Sequence, residues 1–150
     1  MPNESTQALE ALGTLRSELA ANLFARLREM SFDGIGISRE TYGPSETAAM
    51  ELVAKEAKVH GLETEWDAAR NMIVRLPGQD RRLPAVATGS HLDSVPQGGN
   101  YDGAAGVIAG LLALIEAKTQ GAPQRSMEVY ALRGEESAWF GGPCYFGSRA

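Results

Sequence analysis

Cysteine is almost absent: in 150 residues there is one, Cys144. A lone thiol excludes an intrachain disulfide and suits a reducing cytoplasm. Histidine is nearly as scarce, with only His60 and His91. No dense run of Lys and Arg occurs and the net charge is −5, which argues against nucleic acid or an anionic membrane as partner. No apolar run approaches the ~20 residues that span a bilayer. The opening Met1-Pro2-Asn3-Glu4-Ser5-Thr6-Gln7 lacks the basic patch and apolar stretch of a secretory signal. What remains is an ordinary globular composition, 43% hydrophobic and 22% charged, in a length that fits one domain with a core. The expectation is a soluble, cytoplasmic protein.

The hydrophobic pattern alternates between helix and strand periods. Leu9, Leu12, Leu19, Leu23 and Leu27 form an amphipathic stripe that predicts a helix over about residues 5–29. Residues 32–43 are glycine-broken and read as a loop. Pro44 and Ser45 open a second helix with Ser45 as N-cap, running through Met50, Val53 and Ala57 to a left-handed stop at Gly61. Strands are predicted at 62–66 and 72–76, the latter closed by Pro77-Gly78. A short run at 84–88 reads as a strand covered on both faces. A glycine-rich loop at 89–103 leads to a buried helix at 104–118, and 127–132 reads as the last strand. Strands separated by helices predict a layered α/β sheet with its site at the strands' C-terminal ends. Four strands and three helices would leave an apolar edge or face uncovered.

The informative stretch is Gly89-Ser90-His91-Leu92-Asp93-Ser94-Val95-Pro96-Gln97-Gly98-Gly99-Asn100-Tyr101-Asp102-Gly103. An imidazole just after a buried strand can bind a divalent metal through one nitrogen if an acceptor holds the other, and Asp93 is placed to be that acceptor. Asp102, after a glycine pair, is a carboxylate able to bridge two ions about 3.5–4 Å apart. Glu135-Glu136 follows the last strand; in extended backbone their side chains point opposite ways, so one can ligate while the other faces the attacking water as general base.

Each residue also has a plainer reading. Asp102 alone is an N-cap, Glu135-Glu136 alone is solvated surface, and His91 alone is a loop histidine. His60, in the last turn of a helix, is structural. Cys144 is a small buried or loop residue, and no local signature supports a Cys144–His91 hydrolase. Gly98-Gly99 is followed by no Gly-Lys-Ser/Thr, so it does not make a phosphate loop.

Together these motifs resemble one family, the N-carbamoyl-amino-acid hydrolase and allantoate amidohydrolase branch of the aminoacylase–carboxypeptidase superfamily. The resemblance rests on the 89–103 string, the Glu135-Glu136 pair, the segment from Thr41-Tyr42-Gly43-Pro44 to Arg70-Asn71, and the closing Phe146-Gly147-Ser148-Arg149. The short interval from His91 to Asp102 separates it from related exopeptidases and deacylases, which place a longer insert there. The resemblance implies a three-layer α/β/α, zinc-exopeptidase-like catalytic domain, of which residues 1–150 are the N-terminal portion. It implies His91 on one metal, Asp102 bridging both, Glu136 on the second, Glu135 as general base and Asp93 orienting His91. It further implies two divalent ions (zinc, manganese, nickel or cobalt), a small ureido or N-carbamoyl substrate, and a homodimer when full length. Two departures stand out: Arg70 where many relatives have glycine, and Arg133-Gly134 where Thr-Asn is usual. The lid and dimerisation domain, with two further histidine ligands, lie beyond this region in relatives. An exopeptidase or N-acyl-amino-acid deacylase is the alternative activity, and a non-catalytic fragment that binds metal weakly is the alternative class.

Overall fold

A computed structural model describes the backbone of residues 4–150 and the side chains from Gly13 onward. Leu9 and Leu12 of the predicted stripe lie outside the described side chains. Three helices, α1 (Glu4–Ser31), α2 (Pro44–Val59) and α3 (Ala104–Thr119), accompany four strands, β1 (Glu63–Trp66), β2 (Met72–Leu76), β3 (Val86–His91) and β4 (Met127–Leu132). The strands form one sheet in the order β1-β2-β4-β3. β1, β2 and β4 pair antiparallel, whereas β3 and β4 are parallel and joined through α3. That parallel pair brings the ends of β3 and β4 to the same edge, with His91 opposite Leu132.

Alternation along the strands decides which face is buried. Met72, Val74, Leu76, Val129 and Ala131 point to the helices and pack with Leu23, Leu27, Met50, Val53, Ile108 and Leu111 in one core. The opposite face carries no helix among the described residues and is polar rather than apolar. There Arg75 donates to Glu128 at 2.6 Å and to Glu65 at 3.1 Å, and the Tyr130 hydroxyl donates to Glu128 at 3.0 Å. The described elements therefore supply two layers of the α/β architecture, and the uncovered face is an ion-paired surface.

Several local expectations need correction. Ser45 is not the N-cap of α2: Gly43 holds that place without a side-chain cap bond, and the helix starts at Pro44. The first-turn N–H of Ser45 is instead taken by Glu40, whose Oε1 accepts it at 3.3 Å. The third strand begins at Val86 and extends to His91, and it is exposed rather than covered, with Val86 54% accessible. As an edge strand it has a neighbour on one side only. α3 is buried along one face, since Ala105, Gly106, Ala109 and Ala113 are open to solvent. Gly61 does adopt the left-handed conformation expected after α2, with φ 66°. Arg70 has φ 67°, which explains why glycine suits that position.

Candidate metal centre

The site is built at the C-terminal ends of β3 and β4. His91 ends β3, and its Nδ1 lies 3.2 Å from Asp93 Oδ1 and 3.0 Å from the Asp93 carbonyl. Those acceptors favour the tautomer with the proton on Nδ1, which leaves Nε2 as the free electron pair. Nε2 faces Glu136, 3.8 Å from Oε1. Donor atoms of His91, Asp102 and Glu136 all lie within 4.8 Å of one another, the single such group among the described residues. One imidazole and two carboxylates converging at that separation form the donor set that divalent zinc or manganese takes, so these residues fit an ion.

Asp102 reaches this group because of Gly103. That residue, with φ 63°, is the N-cap of α3, and no side chain caps the helix. A Cβ at Gly103 would fall 2.5 Å from the His91 ring. Glycine therefore lets the start of α3 press against the imidazole. The N-cap reading of Asp102 does not hold, and its exposed carboxylate is turned to the other ligands.

Asp93 does more than orient His91. It is fully buried and accepts the Thr41 hydroxyl at 2.8 Å, the Glu136 N–H at 2.9 Å and the Glu135 N–H at 3.2 Å. One carboxylate thus ties His91 at the end of β3 to the loop after β4 that carries Glu136. Burial would raise its pKa, but the bonds from His91, the Glu136 N–H, Thr41 and the Glu135 N–H outweigh it and hold the group below its ordinary value. For His91, burial pulls the pKa down, yet the contacts with Asp93 and Glu136 raise it overall. Burial pushes Glu136 up, with Asp102 and Asp93 adding to the rise and His91 opposing it. Crowded carboxylates around one imidazole favour a bound cation.

Supporting residues that the sequence did not reveal as such surround the centre. Arg39 is fully buried and donates from Nε to the Leu92 carbonyl at 2.5 Å. Its backbone exchanges bonds with Ser94, at 3.0 Å to Oγ and 2.9 Å from the Ser94 N–H, which fixes the turn between His91 and Gly98. Glu46, also fully buried, accepts the Gly134 N–H at 2.9 Å and Arg133 Nε at 2.7 Å. Arg133, one of the two departures, therefore forms a buried ion pair immediately before the glutamates. No periodicity or spacing marks the contacts of Arg39 with Leu92 or of Glu46 with Gly134, because these partners are more than 50 residues apart in sequence.

Glu135 stands apart from the ligand group. Its carboxylate accepts the Ser148 N–H at 2.9 Å and the Ser148 hydroxyl at 2.7 Å. His60 lies at the end of α2, 3.3 Å from Glu56, as a structural residue. Cys144 is unpaired and belongs to no ligand group among the described residues.

The model of peptidase family M28 matches residues 71–150. The N-carbamoyl-L-amino-acid amidohydrolase of Paenarthrobacter aurescens is 39% identical over 131 residues, covering 85% of this chain and 32% of that protein. The allantoate amidohydrolase of Bacillus subtilis (strain 168) is 41% identical over 111 residues, 73% of this chain and 27% of that protein. Among solved structures, a hydantoinase/carbamoylase family amidase from Burkholderia ambifaria superposes with a TM-score of 0.74 at 30% identity, covering 85% of this chain and 33% of that one. The chain thus spans about a third of the length of the relatives it matches. It belongs to peptidase family M28, and its relatives are amidohydrolases of the carbamoylase and allantoate type.

Proposed function

We propose that the protein carrying this sequence is a metal-dependent amidohydrolase that cleaves a non-peptide C–N bond in an N-carbamoyl-L-amino acid, allantoate or a related ureido compound. Residues 1–150 are, in this reading, the N-terminal portion of its catalytic domain. The observation that carries it is the convergence of His91, Asp102 and Glu136 within 4.8 Å, in a chain whose relatives are amidohydrolases. A divalent ion bound there supplies Lewis acidity and lowers the pKa of water. His91, Asp102 and Glu136 are the residues that would hold the metal. Asp93 keeps the His91 proton on Nδ1. Glu135 takes a proton from the attacking water and returns it to the departing nitrogen, so that the carbamoyl group leaves as ammonia and carbon dioxide. The use of two ions, the choice among zinc, manganese, nickel and cobalt, a homodimer and a cytoplasmic location belong to the same reading and rest on the resemblance alone.

Ammonia release from N-carbamoyl-L-amino acids and from allantoate, with added zinc or manganese and with a chelator, tests the proposal. Chelator-sensitive release supports it. Cleavage of dipeptides with none of these substrates would move the activity to an exopeptidase. Glu135→Gln is expected to lower kcat by about 10²–10⁴-fold with metal still bound, the range of a general base; undiminished turnover removes Glu135 from that role.

A further inference from the structure

The motif Phe146-Gly147-Ser148, with no part in the metal centre, pairs backbone to backbone with the residues that follow β4. The Tyr145 N–H donates to the Glu135 carbonyl at 3.4 Å, the Phe146 N–H to the Gly134 carbonyl at 3.0 Å and the Gly147 N–H to the Arg133 carbonyl at 2.8 Å. Asn71 clasps both strands of this pairing, accepting the Arg133 N–H at 2.9 Å and donating to the Gly147 carbonyl at 3.0 Å. Gly147 has no room for a side chain: a Cβ would fall 2.2 Å from Asn71 Oδ1 and 2.6 Å from the Arg133 carbonyl oxygen. The close approach that only glycine allows delivers the next residue, Ser148, onto Glu135. There its N–H and hydroxyl take one oxygen each of the carboxylate, at 2.9 and 2.7 Å.

We propose that Ser148 is the positioning residue of the general base Glu135, an inference that rests on the function proposed above. Two donors from one residue, one on each oxygen, hold the carboxylate in both tilt and torsion. Each carboxylate oxygen has a second lone pair, so the clamp leaves Glu135 able to accept a proton. Asn71 and Gly147 serve the same end by setting the register that presents Ser148.

The test compares Ser148→Ala, Ser148→Thr and wild type in the metal-loaded protein. Ser148→Ala keeps the N–H and removes the hydroxyl; it is expected to lower kcat about tenfold, the size of one charge-assisted hydrogen bond, with KM and metal content within about twofold. Threonine retains the hydroxyl and is expected to restore kcat to within about threefold of wild type. A KM or metal-content change that parallels kcat and is not rescued by threonine would overturn positioning and leave a structural role. A second readout does not require turnover: the ¹³C resonance of the Glu135 carboxylate, assigned by its loss in Glu135→Gln. It should move in Ser148→Ala and return in Ser148→Thr; an unmoved resonance overturns the proposal. Absence of metal-dependent ammonia release from wild type counts against the proposed function, and the resonance then decides the Ser148 contact by itself.

Discussion

Asp93 is where the two halves of the candidate centre are joined, so its removal has a calculable effect. In Asp93→Ala the Thr41 hydroxyl and the Glu135 and Glu136 N–H groups lose their acceptor, and His91 loses its orienting partner. A buried donor left without an acceptor costs about 1–3 kcal/mol. Because part of this loop can rehydrate, the lower half of that range applies, for a total of about 3–5 kcal/mol. At about 3 °C per kcal/mol for a chain of this size, Tm should fall by roughly 10–15 °C. Asp93→Asn keeps one acceptor oxygen and sets an NH₂ against existing donors, so it should cost roughly 2 kcal/mol. The pH dependence follows from the direction of the shift. The folded Asp93 carboxyl lies below its ordinary value, so the stability it contributes is fully present above the unfolded value of about 3.9 and is lost as pH falls through the folded value. The stability gap between wild type and Asp93→Asn should therefore be constant near neutral pH and close on acidification below about pH 4. Urea denaturation of the metal-free protein across that range is the assay. A gap under about 1 kcal/mol at neutral pH, or one that widens in acid, would refute the reasoning.

The buried pair before the glutamates predicts a sign change in a double-mutant cycle. Arg133→Met strands the fully buried Glu46 and should cost about 3–5 kcal/mol, whereas adding Glu46→Gln should recover at least half of that loss; purely additive losses in chemical denaturation would contradict it. Gly103→Ala combines a left-handed backbone with a Cβ 2.5 Å from the His91 ring. It should destabilise by about 2–4 kcal/mol and weaken zinc binding at least ~10-fold by calorimetry, since it displaces a ligand. Arg70→Gly relieves a left-handed Arg at the cost of a cation–ring contact of 5.8 Å with Trp66. It should be neutral or stabilising by up to about 1 kcal/mol in urea, and a loss larger than that would show the strain argument to be wrong.

Much of this was legible in the residues themselves. Glycine and proline punctuation together with two distinct hydrophobic periods placed all three helices and four strands, because those signals are local. The candidate ligands His91, Asp102 and Glu136 were legible as a set through their resemblance to a family string, and the structure brings them within 4.8 Å of one another. Where the reading failed, the deciding contact was remote. The strand at Val86 looked covered, but its position at the edge of the sheet leaves it open. The uncovered face looked apolar from counting elements, but strand alternation had put Arg75, Glu65, Glu128 and Tyr130 there.

What the sequence determined alone was therefore the elements, the family and the identity of the ligand-type residues, all of which depend on neighbours within a turn or a strand. Only the tertiary structure decided that Asp93 holds both ligand loops, that Arg39 and Glu46 are buried beneath them, and that Ser148 rather than the ligand group engages Glu135. Those roles arise from partners 13 to 88 residues apart. No local pattern encodes such distances; they exist only once the core has brought β3, β4 and the segment after them into register.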